Sequence, residues 1–333
     1  MNILKIFLKV FLAGIVAMAI LCVLFLPYVF TPVHKANPNG STDYIWPGNA
    51  LWFKMTEGIS KGKFDANGFN NPTVIENPDI LILGSSHMEA TDVPQGQNAA
   101  CLLDQMLPDH SVYNLGISSH HFLKVCKYLP TTLALYPESP EYIIIETSNV
   151  RFSQEDVDSL LQGTVDFTPS HATGVVSTLQ KFPFLRLLYL QGSDLLDVLM
   201  PETSDPASVQ TPTYNDAAYD ALFTYIREAT ADHGAKIIIV YHPSGTVQPD
   251  GSASFAEPDH YKDLFAQKCA QSGIVFVDMA QPFADLYEKE HKLPHGFITG
   301  QIGIGHLNAD GHRAIAQMLA QTITRLEEDA PCK

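Results

Sequence analysis

Between residues 79 and 278 the chain alternates short, unbroken apolar runs with longer stretches whose apolar positions recur at helical spacing. The runs Asp79–Leu83, Ser111–Leu115, Tyr142–Glu146, Lys236–Tyr241 and Ile274–Asp278 are rich in Ile and Val and lack polar alternation. Such runs fit parallel strands covered on both faces. The segments between them are amphipathic; "DAAYDALFTYIREATADHG" is one, and its Gly234 suits a helix C-cap. A last helix is predicted from about Asn308 to Glu327. Five covered strands alternating with helices predict a doubly wound α/β domain over residues 78–330.

One segment breaks this rhythm. Residues 151–216, between the third and fourth strands, include "FPFLRLLYLQGSDLLDVLM" and read as a helical insertion. It either packs on the core or covers the strand ends as a lid. Upstream, residues 31–77 are rich in Pro, Asn and Gly and read as a spacer and lead-in carrying Trp46 and Trp52.

The N-terminus has a different pattern. After Lys5 and Lys9, residues Val10 to Phe30 carry no charge. That length of helix spans roughly 31 Å, about the thickness of a bilayer core. Lysines before the span place residues 1–9 in the cytoplasm, residues 10–30 in the membrane as a single-pass anchor, and the body outside the cell membrane. No small-x-small cleavage site follows the span cleanly, and Leu21 before Cys22 argues against a lipoprotein anchor.

Composition narrows the partners. With 46% hydrophobic and 17% charged residues the body has the material for a packed core, and disorder is excluded. A net charge of −16 with 20 Lys and Arg excludes nucleic acid as a partner, because phosphate backbones demand clustered positive charge. Cys101, Cys126, Cys269 and Cys332 lie in the body. Outside the cell they could form two disulfides in any of three pairings, or serve as small buried apolar residues.

Candidate chemistry gathers where the predicted strands end. The first strand runs into Gly84-Ser85-Ser86-His87, the second into "NLGISSHH", the third into "ETSN", and the loop before the last helix reads "GIGHLNADGH". In doubly wound sheets, ligands bind at the carboxyl ends of the strands. A serine, a glycine in a turn, an asparagine and a histidine on that rim are the parts of acyl transfer: nucleophile, oxyanion donors and base. Taken singly, Ser86 could equally be the N-cap of the first helix, and Gly116 and Asn149 plain turn residues. His87, His120, His121 and His242 also follow strand ends and, with His306, raise a zinc site as an alternative, although their spacings match no metal motif.

These four blocks resemble those of the SGNH (GDSL-like) hydrolases, over about Asp79 to Arg325. "ILILGSSH" resembles the first block, with Ser86 at the nucleophile position and Ser85 where Asp is commoner. "NLGISS" is similar to the second, which makes the Gly116 N–H an oxyanion donor beside that of Ser86. "TSN" resembles the third, so Asn149 would donate its side-chain amide, with Thr147 replacing a glycine. "GHLNADGH" is the closest match and places the base at His306. His87 and His120 would line the pocket.

The resemblance implies a flavodoxin-like three-layer α/β/α fold, serine-dependent ester hydrolysis or O-acyl transfer, and no metal or other cofactor. Anchored members act on cell-envelope polymers beside a multi-pass membrane acyltransferase. The implied substrate is therefore an acylated, in particular acetylated, cell-surface glycan, and such an acyltransferase is the implied partner. One position departs from the pattern: Gly303 stands where the family carries the Asp that orients the histidine. Either a backbone carbonyl serves His306, or another acid, Asp278 or Asp310, reaches it, or the domain is a degenerate module that binds a glycan or membrane partner without turnover.

Overall fold

The computed structural model describes residues 2–29, 33–34, 44–55, 57–136, 138, 140–165, 214–248, 250–255, 260–298 and 302–329. Most of the predicted insertion, and Cys332, lie outside these residues.

Helix α1 (Asn2–Phe25) is apolar, exposed along its length, and long enough to serve as a signal anchor or signal peptide. It begins before and ends earlier than the predicted span of residues 10–30. Pro27 lacks an N–H and disfavours helix at the residue before it, so the chain leaves the helix and extends. Short strands follow: β1 (Tyr28–Val29), β2 (Val33–His34), β3 (Tyr44–Ile45), β4 (Leu51–Lys54) and β5 (Ser60–Lys63). Strands β4 and β5 form an antiparallel hairpin, with Lys54 opposite Ser60, and β1 pairs in parallel with β4.

The predicted lead-in is thus part of the domain from residue 44 on. Trp52 is buried, and Trp46 stacks on Phe64 and donates its indole N–H to Glu89 at 2.8 Å. Asn70 donates to the Glu89 carbonyl, and Asn71 pairs with the backbone of Asn114 at both its amide oxygen and nitrogen. Buried side-chain amides bonded to the sheet backbone and to the turn after α2 fix the register of the segment against the sheet.

The main sheet begins with β6 (Ile80–Gly84), followed by α2 (Ser86–Glu89), α3 (Ala99–Met106), β7 (Val112–Gly116), α4 (Phe122–Leu133), β8 (Tyr142–Thr147) and α5 (Gln154–Leu161). Next come α6 (Asp216–Thr230), β9 (Lys236–Tyr241), a small ribbon of β10 (Thr246–Val247) and β11 (Ala253–Ser254), α7 (Tyr261–Gln271), β12 (Val275–Asp278) and α8 (Ala280–Glu290). A second ribbon, β13 (His295–Gly296) with β14 (Ile302–Leu307), leads into α9 (Ala309–Glu328).

Strand order is β7-β6-β8-β9-β12, all parallel. This is the flavodoxin-like order, which reverses between β6 and β8. All five strands lie within one or two residues of their predicted positions. Alternate residues of β6 separate the two cores. Leu81 and Leu83 face the side packed by α4, α5, α6 and α7, whereas Ile80 and Ile82 face the side packed by α3, α8 and α9. Three body cysteines, Cys101, Cys126 and Cys269, are buried free thiols, the last two in the core that Leu81 faces.

Candidate active site

At the carboxyl end of β6, Gly84 leads into a turn that starts α2. Ser85, in extended conformation, is the N-cap and accepts from the His87 N–H. Ser86 is therefore not the capping residue but the first residue of the helix. Its Oγ is left for the histidine: Ser86 Oγ lies 2.8 Å from His306 Nε2.

His306 reaches this point from β14, in the stretch "GIGH". Gly303 and Gly305 both adopt left-handed backbone conformations, with φ of +79° and +99°. Gly305 is also a spatial requirement. A Cβ there would stand 2.4 Å from Glu57 Oε2. The Glu57 carboxylate fills that space and holds His306 at two atoms, accepting its backbone N–H at 2.7 Å and facing Nδ1 at 2.7 Å.

Glu57 comes from the tip of the β4–β5 hairpin. The tip is packed against the turn after α2: Ser60 donates to the Thr91 carbonyl, and Lys54 pairs with buried Asp92 at 2.8 Å. Gly58 sits so close to Asp92 that a Cβ would overlap the Asp92 carbonyl oxygen. Asp92 adds a second carboxylate 3.8 Å from His306 Nδ1.

Electrostatics assigns the protons. Burial alone would raise the Glu57 pKa, but the hydrogen bonds from His306 outweigh it and hold the carboxyl below its ordinary value. Glu57 is therefore an acceptor only, and His306 Nδ1 carries the hydrogen that it donates. Nε2 then presents its lone pair to the Ser86 hydroxyl. Burial likewise works against the His306 imidazolium, yet the Glu57 hydrogen bond and the Asp92 charge hold its pKa above the ordinary value.

The carboxylate that meets His306 Nδ1 is thus neither of the two candidates read from the sequence. Asp278 binds Lys262 at 2.7 Å and caps the Ala280 N–H. Asp310 pairs with Arg313 and Lys292 in the first turn of α9. Both carboxylates are engaged by nearby cations. Glu57 lies 249 residues before His306 and outside all four blocks.

The two proposed oxyanion donors besides Ser86 have other partners. The Gly116 N–H donates to the Asn114 side chain at 2.9 Å. Gly116 is a glycine for packing, since a Cβ would collide with the Met88 and Glu89 backbone of α2. Asn149 is exposed and closes on its own loop, giving one amide hydrogen to the Arg151 carbonyl and accepting the Arg151 N–H. The Ser86 backbone N–H makes no hydrogen bond among the described residues. In the turn after β7, Ser119 is a non-glycine residue with φ of +69°, and its N–H is also unpaired among the described residues.

His120 is buried and stacks on Tyr128, lining a cavity of about 560 Å³ with Leu83, Leu115, Ile117 and Tyr136. His87 lies on the other side, with its ring 5.1 Å from that of His306 and 4.5 Å from that of His242. His242 Nε2 meets Glu146 Oε1 at 2.6 Å, and Glu146 Oε2 accepts the Ser85 N–H at 2.7 Å. Burial opposes ionisation of Glu146, but the His242 bond outweighs it and keeps the carboxyl depressed. Sequence reading missed Glu57, Glu146 and His295. Glu146 stood in view as an acid inside an otherwise apolar strand.

No protein-family model matches the sequence, and no curated protein aligns with it. Among solved structures the chain is similar to LAE5, an α/β hydrolase enzyme from the metagenome of Lake Arreo, Spain, at 15% identity and a TM-score of 0.42, covering 76% of this chain and 98% of that one. It is similar to a lipolytic G-D-S-L family member from Veillonella parvula at 16% identity and a TM-score of 0.39, covering 74% and 98%. It is also similar to a catalytic mutant of Axe2, an acetylxylan esterase from Geobacillus stearothermophilus, at 13% identity and a TM-score of 0.40, covering 75% and 95%.

Proposed function

We propose that the protein is a serine-dependent ester hydrolase or O-acyltransferase, held at the outer face of the cell membrane by α1 and acting on acylated glycans of the cell envelope. The observation that carries this reading is the hydrogen-bonded chain from Ser86 Oγ through His306 to Glu57, with links of 2.8 and 2.7 Å. A serine hydroxyl facing the lone pair of an imidazole whose other nitrogen is held by a carboxylate is an activated nucleophile.

In the first half-reaction Ser86 Oγ attacks the ester carbonyl carbon as its proton passes to His306 Nε2. The resulting imidazolium is stabilised by ionised Glu57 and neighbouring Asp92. The oxyanion faces the unpaired Ser86 N–H. Collapse breaks the ester C–O bond, the alcohol leaves with the proton from His306, and an acyl-Ser86 ester remains. In the second half-reaction His306 takes a proton from water or from a glycan hydroxyl as that oxygen attacks. The acid or the new ester departs and Ser86 regains its hydrogen. Hydrolysis and transfer use the same residues; a multi-pass membrane acyltransferase would supply acyl groups in the second case.

The glycan substrate and the acyltransferase partner follow from the resemblance in the four sequence blocks. The orientation of α1, with its lysines inside, rests on Lys5 and Lys9 before the apolar run and the acidic body after it. The degenerate module that Gly303 raised loses its main support, because Glu57 supplies the acid that Gly303 lacks.

The test is covalent labelling of the full chain in detergent with a fluorophosphonate. Labelling of the wild type, absent in Ser86→Ala and strongly slowed in His306→Ala and Glu57→Gln, is expected. A folded wild type that resists the probe would overturn the reading.

A further inference from the structure

Next to the Ser86–His306 pair lies a second cluster of imidazoles that ester chemistry leaves unused. His87 is in α2, His242 follows β9, and His295 begins β13. One ring nitrogen of each lies within 4.8 Å of the others. His242 and His295 are 1% and 3% exposed. The Nδ1 atoms of both are buried and meet no hydrogen-bond partner. A buried polar atom left unpaired is costly, because it has given up water without gaining a partner. Two in one cluster call for a ligand that satisfies both.

The chemistry of that ligand follows from the His242 tautomer. Glu146 accepts the Ser85 N–H with one oxygen, and its other oxygen faces His242 Nε2 at 2.6 Å, an acceptor that draws the ring hydrogen to Nε2. In the neutral ring Nδ1 then holds a bare lone pair. The missing group is an electron-pair acceptor.

We propose that His87, His242 and His295 form a binding site for a divalent transition-metal cation of the zinc type. Three neutral imidazoles suit zinc, copper or nickel better than calcium or magnesium, which take oxygen. Three protein ligands also leave a fourth position for water. A carboxylate that fixes the tautomer of a ligating histidine is the usual outer support of such sites, and Glu146 stands in that place behind His242.

Zinc–nitrogen bonds of about 2.0–2.1 Å put donor nitrogens about 3.3 Å apart, so binding draws the rings together by small rotations. His87 is otherwise held by a 3.3 Å contact in which its Nδ1 accepts the Leu307 N–H. The second shared cluster, His110 with Glu141 and Glu327, has both its carboxylates exposed and no orphaned buried atom. It serves as the internal contrast. Glu146 also holds the Ser85 N–H, so the cation would brace the turn that carries the nucleophile through His242 and Glu146. His306, turned to Ser86 and Glu57, is not among the ligands.

The test uses the full chain in detergent, stripped by chelator and dialysed. Zinc is titrated calorimetrically and cobalt by visible absorption. Expected are one zinc per chain, the intense visible bands of tetrahedral cobalt, loss of both in His242→Ala and His295→Ala, and retention in His306→Ala. Glu146→Gln should weaken binding by about 10–100-fold. X-ray absorption of the zinc-loaded wild type, independent of any variant's folding, should show three imidazole nitrogens. No zinc uptake by the stripped wild type, binding that survives both histidine variants, or a metal with fewer than two imidazole ligands would each overturn the proposal.

Discussion

The Glu57 carboxylate grips His306 at two atoms, with one oxygen on the backbone N–H and the other on Nδ1, each at 2.7 Å. A single acid thereby sets both the position of β14 and the tautomer of its histidine. Glu57→Gln keeps the size but replaces one oxygen by an NH2 group, which would donate to Nδ1 and leave the hydrogen on Nε2, facing Ser86. Loss of the corresponding acid in a serine protease costs about 10⁴ in kcat. A fall of roughly 10³–10⁴ in kcat for an activated acetyl ester is expected for Glu57→Gln, with KM little changed. Asp278→Asn and Asp310→Asn should stay near wild type. Steady-state kinetics on the three variants checks this, and a large loss in Asp278→Asn or Asp310→Asn would move the acid elsewhere.

The same pair sets the pH dependence. His306 must be neutral to accept the Ser86 proton, and its pKa is raised, so the acid limb of kcat/KM should lie above the ordinary histidine value. In the Glu57→Gln variant that limb should move to lower pH even as the plateau falls. Stability carries the opposite sign for the two groups. The raised His306 pKa contributes stability that is full below its unfolded pKa and lost as pH rises through the folded value. The depressed Glu57 pKa contributes stability that is present above its unfolded value and lost as pH falls through the folded one. The pair therefore stabilises most between the Glu57 and His306 pKa values. A kcat/KM profile with no shift between wild type and Glu57→Gln would contradict this account.

Gly303 and Gly305 separate backbone strain from spatial exclusion. Both have positive φ, so alanine at either is strained by on the order of 1 kcal/mol or more. Only at Gly305 does the added carbon meet the acid, 2.4 Å from Glu57 Oε2; at Gly303 its nearest neighbour is a Leu293 methyl at 3.2 Å. Gly305→Ala should thus displace Glu57 and reduce kcat by at least about 10-fold, a fraction of what deleting the acid costs. Gly303→Ala should lower the unfolding midpoint and leave kcat within a factor of about two, as expected of a strain effect remote from the chemistry. Equal kinetic losses in the two would show that strain alone is responsible.

The five sheet strands were legible because each is an unbroken apolar run, whereas their order was implied only by the resemblance to a flavodoxin-like family. Ser86 and His306 were legible because strand ends concentrate polar residues. Glu57 was not. It lies in a hairpin tip with no periodicity, in a segment whose Pro, Asn and Gly content reads as spacer. Its nearest signal is indirect: two glycines flank Ile304 just before His306, and Gly305 leaves room for something large. The docking of that segment was equally hidden, because it rests on side-chain amides such as Asn70 and Asn71 bonding to the sheet backbone. Gly116 and Asn149 were read from motif positions, and each turned out to satisfy a local need: helix packing for the glycine, loop closure for the asparagine.

Glu146 is the one acid inside the central strands, and its burial makes it a structural test of the nucleophile turn. It is 2% exposed, accepts the Ser85 N–H and binds His242, itself 1% exposed. Replacing Glu146 by Ala would leave the buried His242 N–H and the part-buried Ser85 N–H unpaired, and breaking a buried pair at one end costs about 3–5 kcal/mol. Urea unfolding of the Glu146→Ala variant should show a loss of that order. Removing both partners should cost less than the sum of the single losses, since the double variant strands fewer buried groups. The readout at the site is separate. Freed of Glu146, the Ser85 N–H no longer fixes the turn before Ser86, so fluorophosphonate labelling should slow even under conditions where the variant is fully folded. A variant that is destabilised but labels at the wild-type rate would confine Glu146 to the core and detach it from the nucleophile.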